Sequence, residues 1–159
     1  MILDPGAVAE VVRAAGELRP LAIGIATVEL DRAALELEAA DSGLTFAAAA
    51  DDELLGARCL VSAGVLAVGG ADVRVVLLEP STEGLLAAAL ARRGEGPAVV
   101  YAAPAEASPD APGPRSKLGA GPLGPGRLVV GSRFGPHVVV LEGSLEGSPG
   151  RHGRNGARP

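Results

Sequence analysis

The feature of this sequence that most constrains its fold is a pair of apolar runs separated by a glycine-containing turn. Residues 57–66 and 73–78 are rich in Val and Leu, and Gly69-Gly70-Ala71-Asp72 lies between them. Apolar runs of this kind, bounded by Gly and Asp, are typical of two strands joined by a hairpin turn. The sequence therefore predicts an antiparallel strand pair in the middle of the chain.

Helical and β-type patterns alternate on either side of this pair. Asp4-Pro5 precedes a helix predicted over 7–18, whose apolar residues have helical spacing, and Pro20 lies just beyond its end. The further predicted elements are a strand over 21–28, a helix over 29–40, a strand or loop over 44–50, a helix over 83–93 and a strand over 98–102.

The last third of the chain is dominated by Pro and Gly. Six prolines exclude a regular helix from residues 103–126, which we predict to be a long loop or lid. Strands are predicted over 127–130 and 137–141, and the Gly-, Ser- and Arg-rich residues 143–159 are predicted to be a disordered tail.

The predicted order indicates an α+β domain made of two related modules. A helical extension over residues 1–20 precedes a domain over 21–142. Its modules are βαβββ units over about 21–80 and 97–142, the second lacking its helix, and together they are expected to form a curved, cup-shaped mixed sheet.

Composition excludes several classes of partner. The net charge is −5 and aromatic residues make up 2% of the chain, which argues against nucleic-acid binding. Cys59 is the only cysteine, so an intrachain disulfide is impossible and a reducing cytoplasm is expected. No apolar stretch approaches the roughly 20 residues of a membrane span, and the first residues lack a secretory pattern.

The segment from Val73 to Gly96 resembles methylmalonyl-CoA epimerases, a branch of the vicinal oxygen chelate superfamily. In this segment, as in that family, a strand ending in LLEP (77–80) is followed by a helix and RGEG (93–96). Weaker similarities are the AIGIA run at 22–26, Gly56-Ala57-Arg58 and the strand over 138–142.

The resemblance implies a domain of paired βαβββ modules that hold a divalent metal inside a curved sheet. Three metal ligands in that family are His, Gln or Glu, and His, with a final Glu. The matching positions here are Ala22, Val76, Val99 and Val139, with Ala98 as an alternative for the third and Glu142 for the last. Hydrocarbon side chains offer no lone pair to a cation, so we expect no metal and no other cofactor.

Polar residues beside those positions are the candidates for chemistry without a metal. Side chains two positions apart on a strand share a face, which places Arg74, Tyr101 and His137 toward the cup, with Cys59 on the neighbouring strand. We predict His137 as a general acid or base, Tyr101 as a proton donor and Arg74 as an oxyanion or carboxylate clamp. The predicted pocket lining is Ala22, Cys59, Val76, Val99 and Val139.

Each candidate also has a structural alternative. Arg74 has the pattern of a solvated strand-edge cation, and His137, after Gly-Pro, that of an exposed loop residue. Tyr101 is compatible with a place in the core, and Cys59 with a small buried apolar residue.

The acidic residues favour structural roles. Glu79 and Glu95 are expected to tether helix ends rather than to catalyse. The run Asp51-Asp52-Glu53 lacks the loop pattern of a calcium site, so a solvated turn is expected there.

Three functions remain open on the sequence. The first is a metal-independent isomerase or cyclase acting on an acyl or polyketide-like molecule in secondary metabolism, by analogy with enzymes of this superfamily. The second is a non-catalytic protein that binds an antibiotic, as in the bleomycin-resistance branch, and the third is an epimerase-like protein that has lost activity. A homodimer is expected from the family and from the open sheet edges.

Overall fold

The computed structural model describes residues 1, 3–81, 83–104, 117–129 and 135–142. Their strands form one mixed sheet of eight strands, in the order β2-β3-β4-β1-β5-β8-β7-β6. The elements are α1 (Pro5–Arg13), β1 (Arg19–Ala26), α2 (Leu30–Ala40), β2 (Phe46–Ala48), β3 (Ala57–Val68), β4 (Ala71–Pro80), α3 (Leu85–Arg93), β5 (Gly96–Ala103), β6 (Leu118–Gly119), β7 (Gly126–Val129) and β8 (His137–Leu141).

The central hairpin is confirmed, and it is longer than the sequence pattern predicts. β3 and β4 pair antiparallel up to Val68 and Ala71. The turn between them needs only Gly69 and Gly70, which have φ values of 57° and 84°. Two consecutive residues with positive φ make the tight turn that matches the twist of a hairpin, and glycine adopts it without strain. Ala71 therefore belongs to the strand rather than to the turn.

The strand order confirms the paired modules of an α+β fold. Parallel pairing joins β1 to β4 in the first module and β5 to β8 in the second. Antiparallel pairing of β1 with β5 then joins the two modules edge to edge. The helix predicted to be missing from the second module would lie after β5, where residues 105–116 are outside the described residues.

The two faces of the sheet are covered differently. Helix α2 packs on residues of odd number such as Ile23, Ile25 and Val75, and α1 packs its Val11 on Val100 of β5. We call the opposite side the inner face. The inner face carries an apolar cluster that also includes Leu86 of α3. The buried strand residues of this cluster include Ala22, Ala26, Cys59, Val76, Leu78, Val99, Tyr101, Val139 and Leu141.

Several predicted boundaries are corrected by the structure. Helix α1 ends at Arg13 rather than at residue 18, because the chain continues in short turns to Gly16, whose φ of 60° is incompatible with a helix. Strand β1 begins at Arg19 and tolerates Pro20 next to an irregularity in its pairing with β5. Within the predicted Pro-rich loop, Leu118–Gly119 forms strand β6.

Other predictions concern the ends of the chain and the membrane. The tail predicted over residues 143–159 lies outside the described residues. In the part of the chain that the structure describes, no helix is long and apolar enough to cross a membrane.

Candidate functional site

Tyr101, the only tyrosine of the chain, lies at the centre of the inner face. Its ring is completely buried and passes over Gly24, where a Cβ atom would lie 3.3 Å from the ring carbon Cε2. Its hydroxyl donates a 2.8 Å hydrogen bond to Oδ2 of Asp52. Tyr101 thus reaches from the second module to a turn of the first.

Asp52 is buried, which corrects the prediction of a solvated turn at this residue. Only 1% of Asp52 is exposed. Its Oδ1 accepts hydrogen bonds from the amides of Leu54 at 2.9 Å and Leu55 at 3.0 Å, while Oδ2 accepts from Tyr101. The sequence gives no sign of this burial, because the partner lies 49 residues away on β5.

Burial raises the pKa of the Asp52 carboxyl, although its hydrogen bonds with Tyr101, Leu55 and Leu54 act in the opposite direction. Burial also raises the pKa of Tyr101 well above its ordinary value, and the neighbouring Asp52 charge adds to this. At neutral pH the Tyr101 phenol is therefore protonated, and it donates its hydrogen bond to the Asp52 carboxylate.

His137 also lies on the inner face, not in an exposed loop. It is 2% exposed and pairs with Val99 at the start of β8. Its Nε2 has no hydrogen-bond partner. Burial lowers the pKa of the imidazole; a hydrogen bond with the backbone of Leu85 raises it, and the Arg93 charge lowers it further. A buried polar atom without a partner is uncommon in a folded protein.

Arg74 is on the same side of β4 as Val76, but its side chain is exposed. Its backbone pairs with Ala22, which in turn pairs with Tyr101 on β5. Arg74 and Tyr101 therefore lie in one row across three strands. His137 is displaced from that row, because Tyr101 pairs with Val139, two residues further along β8.

The positions matched to family metal ligands converge on the inner face. They are buried in one apolar cluster together with Cys59: Ala22, Val76, Val99 and Val139. These side chains offer no lone pair, so the residues present do not fit a divalent cation. Among the described residues, no group of three or more His, Cys, Asp or Glu side chains is placed to hold a metal ion. The alternative, Glu142, is exposed and forms an ion pair with Arg127.

Cys59 has the environment of an inert buried thiol. Its Sγ lies 3.6 Å from the carbonyl oxygen of Ala57. Burial raises the pKa of the thiol to about 12, so the thiolate is not populated at neutral pH. Its position agrees with a small apolar residue of the core.

Glu79 and Glu95 tether chain segments, as the sequence predicts. Glu79 accepts a 3.0 Å hydrogen bond from the amide of Leu30 at the start of α2. Glu95 accepts from the Thr27 hydroxyl at 2.6 Å and from the amide of Val28 at 2.9 Å. These contacts fix the approach to α2 and satisfy amides near the start of that helix.

The inner face is covered by a turn of the first module and a segment of the second. Glu53 donates its amide to the carbonyl of Ala120 at 3.0 Å, and its side chain accepts from the amide of Ala120 at 3.0 Å. Leu54 packs so closely on Gly119 that a Cβ atom there would lie 2.8 Å from Cγ of Leu54. The apolar cluster is therefore closed over Tyr101.

Neither of two cavities whose walls are formed by described residues is lined by Arg74, Tyr101 or His137. A cavity of about 170 Å³ lies between α1 and the junction of α3 with β5. The other, about 330 Å³ and lined mostly by apolar groups, lies between α1 and the β3–β4 hairpin. The predicted catalytic and pocket-lining roles thus remain predictions.

The pKa of His137 leads to an expected pH dependence of stability. Because the folded-state pKa is below the ordinary value of 6.5, the unfolded chain binds more protons in the window below pH 6.5. Stability contributed by neutral His137 is complete above pH 6.5 and is lost as the pH falls toward the folded-state pKa. Urea unfolding should show that the free energy of unfolding rises between pH 5 and 7.5. His137→Gln should reduce the slope of this dependence on pH. Identical slopes in both proteins would contradict the assignment.

Comparison with known proteins locates the fold. Neither a protein-family profile nor a curated protein sequence matches the chain. Among solved structures, a variant of Streptomyces coelicolor methylmalonyl-CoA epimerase in complex with 2-nitronate-propionyl-CoA is similar, with a TM-score of 0.58, 22% identity and coverage of 83% of this chain and 99% of that chain.

Two further structures agree. Methylmalonyl-CoA epimerase from Mycobacterium tuberculosis matches with a TM-score of 0.58 and 18% identity, over 83% of this chain and 94% of that chain. A methylmalonyl-CoA epimerase in complex with methylmalonyl-CoA and NH4+ matches with a TM-score of 0.57 and 22% identity, over 79% and 96%. The chain thus has the fold of the methylmalonyl-CoA epimerases, members of the vicinal oxygen chelate superfamily.

Proposed function

We propose that this chain is a metal-independent enzyme of the isomerase or cyclase type, which moves a proton on an acyl or polyketide-like small molecule. The observation that carries the proposal is the unpartnered Nε2 of His137, buried on the inner face beside the positions that match family metal ligands. The likeness in fold to epimerases that were crystallised with acyl-CoA compounds supports the substrate class.

The hydrogen bonding of His137 suits a general base. The bond with Leu85 raises the pKa and therefore stabilises the protonated ring, so the ring donates it. Since Nε2 has no partner, Nδ1–H is the donor, and Nε2 of the neutral ring carries the lone pair. At neutral pH this nitrogen can take a proton from the carbon next to an acyl carbonyl and return it to the same or a neighbouring carbon.

Stabilisation of the resulting enolate falls to polar groups of the chain. By strand register, Tyr101 is the candidate proton donor nearest to His137. Its hydroxyl must break its hydrogen bond to Asp52 in order to reach a substrate oxygen. In this proposal Arg74, exposed on the same side of β4 as Val76, binds a carboxylate or phosphate of the substrate. The apolar inner face favours an acyl chain over a polar ligand.

The proposal includes the loss of metal ligands, which the hydrocarbon side chains of Ala22, Val76, Val99 and Val139 support. It also includes a role in secondary metabolism, a cytoplasmic location and a homodimer. The open edges of the sheet at β2 and β6 support dimerisation, because unpaired edge strands favour pairing with a second chain.

Hydrogen exchange at the carbon next to the thioester tests the proposal. We expect the EDTA-treated protein to catalyse incorporation of deuterium from D2O into propionyl-CoA or methylmalonyl-CoA, measured by mass spectrometry. His137→Gln should lower the rate by at least about 100-fold, the usual contribution of a general base. The chain's other histidine provides the matched control, since His152→Gln should leave the rate unchanged. Equal rates in wild type and His137→Gln would remove His137 from the mechanism.

The second candidate is a protein that binds an acyl molecule or antibiotic without converting it, or an inactive epimerase-like protein. It is favoured by the closed inner face, where Tyr101 is committed to Asp52 and the side chains of Leu54 and Leu55 pack into the cluster. Tight binding of acyl-CoA without any deuterium incorporation would favour this candidate over the enzyme.

A further inference from the structure

The turn over residues 52–57, which we call the closing turn, is held together mainly by its own hydrogen bonds. Asp52 and Ala57 exchange two backbone hydrogen bonds, of 2.9 and 3.1 Å. The Asp52 carboxylate binds the amides of Leu54 and Leu55 inside the turn. These hydrogen bonds are local to the turn, so the turn can open and expose its amides to solvent without disturbing the strand pairing of the sheet.

Two leucines of the closing turn fill the space above the inner face. Leu55 is 4% exposed and belongs to the same apolar cluster as Ala22, Val76 and Leu86. Leu54 is partly buried against that cluster and against Gly119. Both side chains come from a short turn between strands rather than from the sheet that forms the cup.

A small set of described hydrogen bonds joins the closing turn to the rest of the chain. At its base, next to β3, the carbonyl oxygen of Gly56 accepts from the amide of Ser81 at 2.8 Å and from its hydroxyl at 3.0 Å. Across the cup, the described hydrogen bonds are that of the Tyr101 hydroxyl to Asp52 and the two that join Glu53 to Ala120. Glu53 is exposed, and a hydrogen bond made in the presence of water contributes only about 1 kcal/mol or less to stability. The sheet beneath is held by the pairing of β1 with β4 and of β3 with β4, and paired central strands open less readily than a turn.

We propose that the acyl-binding site lies in the space now filled by Leu54 and Leu55, and that the closing turn shuts this site when no ligand is bound. This inference rests on the proposed function, because it takes the ligand to be an acyl compound. The two leucine side chains contain roughly eight carbon atoms, and close packing means that a ligand replacing them must be of similar size. A medium-length acyl chain fits the space, and its entry frees the Tyr101 hydroxyl from Asp52.

Amide hydrogen exchange tests the movement without a ligand. We expect the amides of Leu54 and Leu55 to exchange at least 100-fold faster than that of Leu77, which lies in β4 between two neighbouring strands. Glu53→Ala should accelerate exchange at Leu54 and Leu55 and leave Leu77 unchanged. Exchange of all three amides at one common rate would mean that the turn opens only on global unfolding, and would overturn the proposal.

Titration with octanoyl-CoA tests the site. We expect Glu53→Ala to bind octanoyl-CoA at least fivefold more tightly than wild type in calorimetry, while exposed Glu17→Ala binds as wild type does. Acetyl-CoA affinity should not change, because an acetyl group is too short to displace both leucines. Octanoyl-CoA should also lower the exchange protection of Leu54 and Leu55.

The outcomes separate this inference from the proposed function. Equal octanoyl-CoA affinity in wild type and Glu53→Ala would show that the closing turn does not shut the site, and it would leave the proposed acyl function unaffected. Local opening of Leu54 and Leu55, with no binding of either acyl-CoA by any variant, overturns the acyl ligand and with it the proposed function.

Discussion

Asp52→Ala should lower the free energy of unfolding by about 3–5 kcal/mol, the range expected when several buried polar groups lose their partner together. The substitution leaves the amides of Leu54 and Leu55 and the hydroxyl of Tyr101 without the carboxylate that accepts from all three. Urea denaturation at pH 7 measures the loss.

Asp52→Asn is the matched control for this prediction. Its amide oxygen can still accept from Leu54 and Leu55, and its amide group can donate to the Tyr101 oxygen. We expect a loss below about 1.5 kcal/mol, since one hydrogen bond is reversed rather than removed. If Asp52→Ala were as stable as Asp52→Asn, Asp52 would not have the structural role that its contacts indicate.

Gly24→Ala should destabilise the fold by about 2–3 kcal/mol, because the inner face has no room for a methyl group at the crossing of the Tyr101 ring. A Cβ atom at this position would lie 2.7 Å from Cδ1 of Leu78 and 2.8 Å from Cβ of Val99. Leu78 can turn its side chain only within a packed cluster, and Cβ of Val99 is fixed to the backbone of β5, so it cannot move without disturbing the sheet. Thermal or urea unfolding gives the value.

Gly84→Ala provides the comparison for Gly24→Ala. Gly84 precedes α3 with an extended backbone, and a Cβ atom added there meets nothing within 4 Å. We expect a change of less than about 1 kcal/mol, the ordinary range for an exposed site. Similar losses at the two glycines would show that the crowding around Gly24 is not what destabilises the variant.

Local sequence patterns predicted the strands and helices because their causes are local. The turn at Gly69-Gly70 sets the register of β3 and β4, and Asp4 accepts hydrogen bonds from the amides of Gly6 and Ala7 at the start of α1. The face shared by Val76 and Tyr101 also follows from alternation along strands. Here the sequence was sufficient.

The closed inner face was not predictable in the same way. Asp52 lies in an acidic run, and its partner Tyr101 becomes adjacent only when β5 pairs with β1. The signal available in the sequence was indirect: the chain's single tyrosine, if placed in the core, requires a partner for its hydroxyl. The exposure of Arg74, by contrast, agrees with the solvated cation that the sequence offered as its structural alternative.

Metal analysis of the purified protein is the sharpest test of whether the cup holds a divalent ion. The protein should be prepared without chelators, dialysed against buffer containing Co2+ and then against metal-free buffer, and analysed by inductively coupled plasma mass spectrometry. We expect far less than one divalent ion per chain, because Ala22, Val76, Val99 and Val139 offer no ligand atoms. One tightly retained ion per chain, released only by a chelator, would contradict a metal-free mechanism.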